Sequence, residues 1–478
     1  MAELPVPDPA TPAALRSAAT LDLSRPRRIH VANVGGAGMS AVATLLAEAG
    51  HRVSGHDPAP ATPFLPMLAG LGVEVTTGGA PDLPGEVDAV VVSTATPADD
   101  ATVVAARGRG VPVVHRAAAL AALCAGRTTL AVAGTHGKTT TSALLATVLE
   151  ATGRHPGWVV GSPVPVLGRS AAWGGDGPLV VEADESDGTF LALGADAAIV
   201  TNVEPDHLES WGGEEALEAA FRRFAAAVPG PLVACADDPG ARALEAVAAE
   251  PVTYGQAPDA DYRVVAPVPW ETGVAFELHH GGERQVVRLP AAPGVHNALN
   301  AAAALALADR LGVPLPAAVA ALAGFAGVAR RFERRGTAGG VTVVDDYAHL
   351  PAEVAAAIGA GRSGPWSRVV AVFQPHRYSR TAALWRSFAD AFEGADVVAV
   401  TDVYAAGEAP RPGVSGKLVV DAVLDAHPWR PMAWLPTLDD VVVWLRATLR
   451  PGDLCLTLGA GDLTTLAPGI LAMLEERG

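Results

Sequence analysis

The chain has 478 residues, half of them hydrophobic, with three cysteines and a formal net charge of −17. That length exceeds what one core serves and suits roughly three domains at about 150 residues each, while the negative balance argues against nucleic acid, whose binders need a basic footprint. Cys124, Cys235 and Cys455 are too far apart for a disulfide framework or a metal cage, and no uninterrupted apolar run of about 18 residues appears, so no stable membrane association is expected.

Residues 1–26, rich in proline and alanine, read as a loose leader. Met1 to Pro5 lacks the basic flank and apolar core of a secretory signal, which points to a cytoplasmic protein. Residues 28–34 form a β-like run that enters the turn Gly35-Gly36-Ala37-Gly38, and an alanine-rich helix follows from Met39-Ser40. This is how a doubly wound α/β domain begins. A second strand, 51–55, ends at Asp57, and the run 88–93, closing on Ser93, is apolar enough for a parallel sheet buried on both faces. The turn alone would suggest NAD, but G-x-G-x-x-G is not met: Asn33 stands where the first glycine would lie if Gly35 were the second. A nucleotide diphosphate is the better ligand for it. This domain spans 1–126.

The next domain, 127–331, opens on an apolar run into Gly134-Thr135-His136-Gly137-Lys138-Thr139-Thr140. Backbone N–H groups of such a turn converge on an anion, and the following helix adds the positive end of its dipole. Lys138 would neutralise terminal phosphates and Thr139 would offer a hydroxyl to their magnesium. The usual early glycine is Val132 here, so this is a shortened phosphate loop. Glu182-Ala183-Asp184-Glu185-Ser186-Asp187 then places four acids in six residues at the end of the strand 179–182. Such clusters are usually solvated loops, but beside a phosphate loop they suit a hard cation. The strand 197–201 ends in Asn202-Val203-Glu204-Pro205-Asp206-His207, and His207 lies beside the acids if the two strands are neighbours, where a second cation could bridge them. His296-Asn297-Ala298-Leu299-Asn300 is either the cap and first turn of an alanine helix or, through the Asn297 amide, a contact to a base edge. Residues 301–329, broken by Asp309, Arg310, Pro314 and Pro316, read as paired helices.

The last domain, 332–478, carries strands at 341–344, 368–373, 396–400 and 453–458. Asp345-Asp346-Tyr347-Ala348-His349 and the segment from Gln374 to Thr381 each follow a strand directly, where open α/β sheets bind their ligands. Exposed arginines are usually bland surface groups. His376, Arg377 and Arg380 together, however, make a compact donor set for a carboxylate, which guanidinium forks bind bidentately.

Taken in order, these motifs resemble the Mur ligases of peptidoglycan synthesis, and the resemblance covers nearly the whole chain. Arg330-Arg331-Phe332, the segment from Asp402 to Glu408 and Gly459-Ala460-Gly461-Asp462 extend it. It implies an α/β fold of three domains: an N-terminal Rossmann-like domain for a UDP-sugar, a central P-loop ATPase domain, and a C-terminal Rossmann-like domain that closes over both. It also implies a reaction. The lactyl carboxylate of UDP-N-acetylmuramate attacks the γ-phosphate of ATP, and the amine of L-alanine then takes the acyl group; ATP and Mg2+ serve a monomer or homodimer.

By resemblance, Thr139, Glu182 and His207 hold the metal while Lys138 meets the transferred phosphoryl group. Gly134 to Thr140, His296, Asn297 and Asp345 or Asp346 touch ATP; Gly35, Gly36, Ala37, Gly38, Met39, Ser40, Asp57, Ser93 and Arg331 hold the sugar nucleotide. His376, Arg377 and Arg380 hold substrate carboxylates, and His349 is the candidate base for the alanine ammonium. Four residues depart from the family pattern: Asn33 and Ser162 in place of glycines, Ser170 in place of asparagine and Leu350 in place of a second histidine. Sister ligases carry a carbamylated lysine between positions equivalent to Glu209 and Pro229; this chain has Arg222 and Arg223 there and no lysine, which fits the alanine-adding branch. The alternatives are a recycling ligase that adds a tripeptide to the same sugar nucleotide and a non-catalytic nucleotide sensor.

Overall fold

A computed structural model of the chain describes residues 21–59, 62, 64–78, 83–206 and 211–476. Five parallel strands, β1 (Arg28–Ala32), β2 (Arg52–Asp57), β3 (Glu74–Thr77), β4 (Ala89–Val92) and β5 (Val113–His115), form the first sheet in the order β3-β2-β1-β4-β5. The order reverses between β1 and β4. A ligand crevice opens at such a switch point, and β1 runs on into the Gly35 turn while β4 runs on into Ser93.

The second sheet holds β6 (Thr129–Ala133), β7 (Gly157–Val164), β8 (Arg169–Ala172), β9 (Leu179–Glu182), β10 (Ala197–Val200), β11 (Pro231–Cys235), β12 (Glu250–Gly255), β13 (Tyr262–Pro269), β14 (Val274–His280) and β15 (Glu283–Leu289). Its order is β15-β14-β13-β12-β11-β10-β6-β9-β7-β8. Every residue of β6 is buried, as a central parallel strand covered on both faces requires. The acidic strand β9 and the strand β10 are not neighbours, as the bridging role for His207 needed; β6 runs between them. His207 itself lies outside the described residues. The paired helices are present as Val295–Arg310 and Leu315–Leu322.

The third sheet comprises β16 (Glu333–Ala338), β17 (Val341–Asp346), β18 (Arg368–Phe373), β19 (Val397–Val400), β20 (Met432–Trp434) and β21 (Asp453–Leu458), ordered β16-β17-β21-β18-β19-β20. β17 runs two residues past the expected strand, because antiparallel β16 keeps pairing as far as Glu333 with Asp345 and parallel β21 as far as Leu458 with Asp346. Asp345 and Asp346 are therefore strand residues and not loop residues. Period-two alternation feeds both faces of this sheet: Val369, Ala371 and Phe373 enter one core and Val370 and Val372 the other.

The chain divides into two compact units. One runs as far as Val265 and adds Glu277–Val286 and Leu299–Ala323; the other comprises Ala266–Phe276, Val287–Ala298 and the chain from Gly324 onward. Among the described residues no helix is long and apolar enough to cross a membrane.

Candidate active site

β6 delivers the chain to Gly134 and Gly137, whose φ values of 129° and 82° lie in the left-handed region. A Cβ on Gly137 would also stand 2.6 Å from Asn300 Oδ1, so this turn needs glycine for its conformation and for its packing. Gly137 caps the helix Lys138–Ala151, whose first N–H groups border the turn. The segment after β10 shapes the loop from the other side. The His136 N–H donates to Asn202 Oδ1 at 2.8 Å, and the Glu204 N–H donates to Thr135 Oγ1 at 2.9 Å.

Lys138 Nζ donates to Gly134 O at 2.6 Å, to Thr135 O at 3.0 Å and to Glu185 Oε1 at 3.0 Å. Burial works against its ammonium, but Glu185 and Asp184 outweigh burial and hold the proton on more tightly than usual. Burial pushes Glu185 up to about 7 despite Lys138. Thr139 Oγ1 donates to Glu182 Oε1 at 2.9 Å, and the Gly161 N–H donates to Glu182 Oε2 at 2.6 Å. A hydroxyl and a carboxylate thus converge at the start of the helix, a donor pair of the kind a hard cation takes beside phosphate oxygens.

The acidic cluster does not act as one unit. Glu182 meets Thr139, Glu185 meets Lys138, and Asp184 and Asp187 both meet Arg116. Burial alone would raise Asp184, but Arg116 and Lys138 bring it down to about 2. Among the described residues no three His, Cys, Asp or Glu side chains gather into a metal cage.

At the other turn, Asn33 adopts φ 52°. Asparagine tolerates the left-handed region better than other non-glycine residues, so the departure from glycine keeps the turn's backbone. The Gly35 N–H donates to Asp57 Oδ2 at 2.8 Å, and Thr96 Oγ1 receives both Asn33 Nδ2 and the Ser93 N–H. Among the described residues no side chain caps the helix Ala37–Glu48 that follows; Met39 and Ser40 are buried in its first turns. Ser162 lies in β7 and Ser170, buried, in β8.

The remaining candidates belong to the other compact unit. Asp345 is buried and accepts from Thr457 Oγ1 and Thr464 Oγ1, each at 2.7 Å, and from Arg330 Nε at 3.3 Å, so one oxygen is tied to β21 and the other to the turn after it and to Arg330. Asp346 accepts the Phe332 and Ala348 N–H groups at 2.7 Å, and burial lifts it to about 6 against the pull of Arg331. Asn297 Nδ2 donates to Pro293 O at 2.8 Å and lies 3.1 Å from His296 Nε2; burial takes His296 down to about 4.

The rings of His349 and His376 meet edge to face at 5.8 Å, and Arg380 Nη1 lies 3.4 Å from His376 Nδ1. Burial lowers His349 below its usual value; Glu353 opposes the shift and Arg380 assists it. His376 falls to about 3 through burial, His349 and the two arginines. Arg377, at φ 67°, turns the chain so that its N–H reaches Tyr404 O at 2.8 Å, and the Tyr404 ring stacks on His376. A cavity of about 450 Å³ adjoins, lined by Gln374, Asp402, Tyr404 and Asp462. Sequence reasoning passed over Arg116, although it follows β5 directly, and quoted Asn300 and Tyr404 only as members of their motifs, with no role of their own.

Family models match in series along the chain: "Mur ligase family, catalytic domain" over residues 28–128, "Mur ligase middle domain" over 132–308 and "Mur ligase, glutamate ligase domain" over 330–461. A Kineococcus radiotolerans protein named UDP-N-acetylmuramate–L-alanine ligase is 47% identical over 470 residues, covering 96% of this chain and 99% of that one. The solved UDP-N-acetylmuramate-alanine ligase of Thermotoga maritima aligns with a TM-score of 0.81 at 28% identity, over 95% of this chain and 100% of that one. A murein peptide ligase of Psychrobacter arcticus aligns with a TM-score of 0.70 at 23% identity, over 94% and 99% of the two chains, a likeness of fold alone.

Proposed function

We propose that this chain, which belongs to the Mur ligase family, joins L-alanine to the lactyl carboxylate of UDP-N-acetylmuramate at the expense of ATP, in the cytoplasm. The observation that carries the reading is the phosphate loop with Lys138 at its head and Thr139 set against Glu182. Residues 1–126 take the UDP-sugar, 127–331 take ATP and 332–478 take the amino acid.

Carboxylate and triphosphate repel one another, so cationic groups must offset that repulsion before oxygen can approach phosphorus in line. Lys138 exchanges its carbonyl and Glu185 partners for oxygens of the transferred phosphoryl group, and the helix N-terminus behind Gly137 supports the remaining phosphates. Thr139 and Glu182 suit Mg2+, with His207 as a third candidate ligand; bound there, the ion would neutralise charge on the phosphate oxygens. The turn from Gly35 to Ser40, with Asp57 and Ser93, holds the sugar nucleotide.

The alanine ammonium must lose a proton before it attacks the acyl phosphate. His349 Nδ1 lies 3.1 Å from Tyr347 O and 3.2 Å from Glu353 Oε2, two acceptors that assign the ring proton to Nδ1 and leave the Nε2 lone pair as the base. Burial keeps that ring neutral and therefore ready to accept. Arg377 and Arg380, beside a neutral His376, hold the carboxylate.

Incubation with UDP-N-acetylmuramate, L-alanine, ATP and Mg2+ tests the reading: phosphate is released only when all four are present. Release with a tripeptide and not with alanine would assign the chain to the recycling branch, and nucleotide binding with no turnover would make it a sensor.

A further inference from the structure

Arg116 opens the helix Arg116–Cys124 directly after β5, and none of the steps above uses it. A cation in the first turn of a helix is opposed by the helix dipole, so the position needs compensation, and two carboxylates supply it. Arg116 Nη2 donates to Asp187 Oδ2 at 2.7 Å and to Asp184 Oδ2 at 3.1 Å, and Nε donates to Asp187 Oδ2 at 3.3 Å. Both carboxylates are held in turn, Asp184 by the Ser186 N–H and Asp187 by the Thr189 N–H, each at 3.0 Å.

The third nitrogen points elsewhere. Nη1 occupies the space above Gly38, where a Cβ would stand 2.5 Å from it. Gly38 lies in the first turn of the helix Ala37–Glu48, whose N-terminus no side chain caps among the described residues. The guanidinium therefore has one edge locked by the acidic strand end and one corner laid on the glycine turn. An ion pair needed only to join two segments would not require the last.

We propose that Arg116 binds the sugar nucleotide, its Nη1 corner meeting a phosphate oxygen on the Gly35–Gly38 turn, and that Asp184 and Asp187 are positioning residues that aim it. The inference rests on assigning that turn to a UDP-sugar. The same acidic segment carries Glu185, the partner of Lys138, so the strand end that restrains the phosphate-loop lysine also orients a ligand of the second substrate.

Calorimetric binding of UDP-N-acetylmuramate to the full chain, without ATP, tests it. Arg116→Ala weakens binding about tenfold, and Arg116→Lys weakens it at least about threefold, because an ammonium cannot grip the carboxylate pair and reach the turn together. Asp187→Asn, with no ligand contact of its own, weakens binding about threefold in the parent chain and not at all on top of Arg116→Ala. If Arg116→Ala does not fold, as its melting curve would show, Arg116→Lys carries the test. Affinity within twofold of wild type in a folded Arg116 variant overturns the assignment, and full additivity with Asp187→Asn overturns the aiming role. A wild-type chain that fails to bind the sugar nucleotide overturns instead the reading beneath it.

Discussion

The strand ends of the two compact units treat their basic side chains differently. Around the phosphate loop the cations are kept: Lys138 remains an ammonium against Glu185 and Asp184, and Arg116 holds Asp184 down to about 2, although burial lifts Glu185 to about 7. Around His349 it is the imidazoles, beside Arg377 and Arg380, that lose their charge. Burial lowers both His349 and His376 and raises Asp346 to about 6. The difference matches two kinds of chemistry. Phosphoryl transfer between anions needs fixed positive charge, whereas deprotonating an ammonium near neutral pH needs a base that has no proton already.

Removing the fixed charge should cost most. Lys138→Ala lowers kcat by about a hundredfold to a thousandfold, the range of a lost transition-state charge contact; near-normal turnover would misassign the loop. Removing the neutral base comes next. His349→Gln lowers kcat/KM by roughly a hundredfold, within the span of general base catalysis. Because burial holds the His349 ring below its ordinary 6.5, the acid limb of the wild-type rate profile falls below that pH; the ring is the working base only where it is unprotonated, and the variant loses the limb. A limb that persists in His349→Gln would move the base elsewhere.

Smaller effects separate binding from support. Arg380→Ala raises KM for a carboxylate substrate by about tenfold, the loss of one charge-assisted contact, with kcat much less changed; an unchanged KM for both alanine and the sugar nucleotide would remove that role. Thr457→Val leaves a buried oxygen of Asp345 without its 2.7 Å donor and should cost about 1–3 kcal/mol of stability, read from urea denaturation.

Much of this division was legible in the sequence because it is local. The strands 368–373 and 453–458 match β18 and β21 residue for residue, and the phosphate loop follows its strand without a gap. Partner choice was not legible. Nothing in residues 182–187 says that one acid faces Thr139, another Lys138 and two more Arg116, since strand order and a side chain nearly seventy positions away decide it. The adjacency on which the His207 reading was conditional is not met for the same reason: a parallel crossover can insert an earlier strand between the two, as β6 does. Asp345 and Asp346 were read as loop because the polarity changes there, while pairing with β16 and β21 carries the strand on.

The central claim is that phosphate passes through the sugar's own carboxylate. UDP-N-acetylmuramate labelled with 18O in the lactyl carboxylate tests it most directly: with ATP, Mg2+ and L-alanine, the inorganic phosphate released should carry one labelled oxygen for each amide formed. Amide formation with unlabelled phosphate would contradict it.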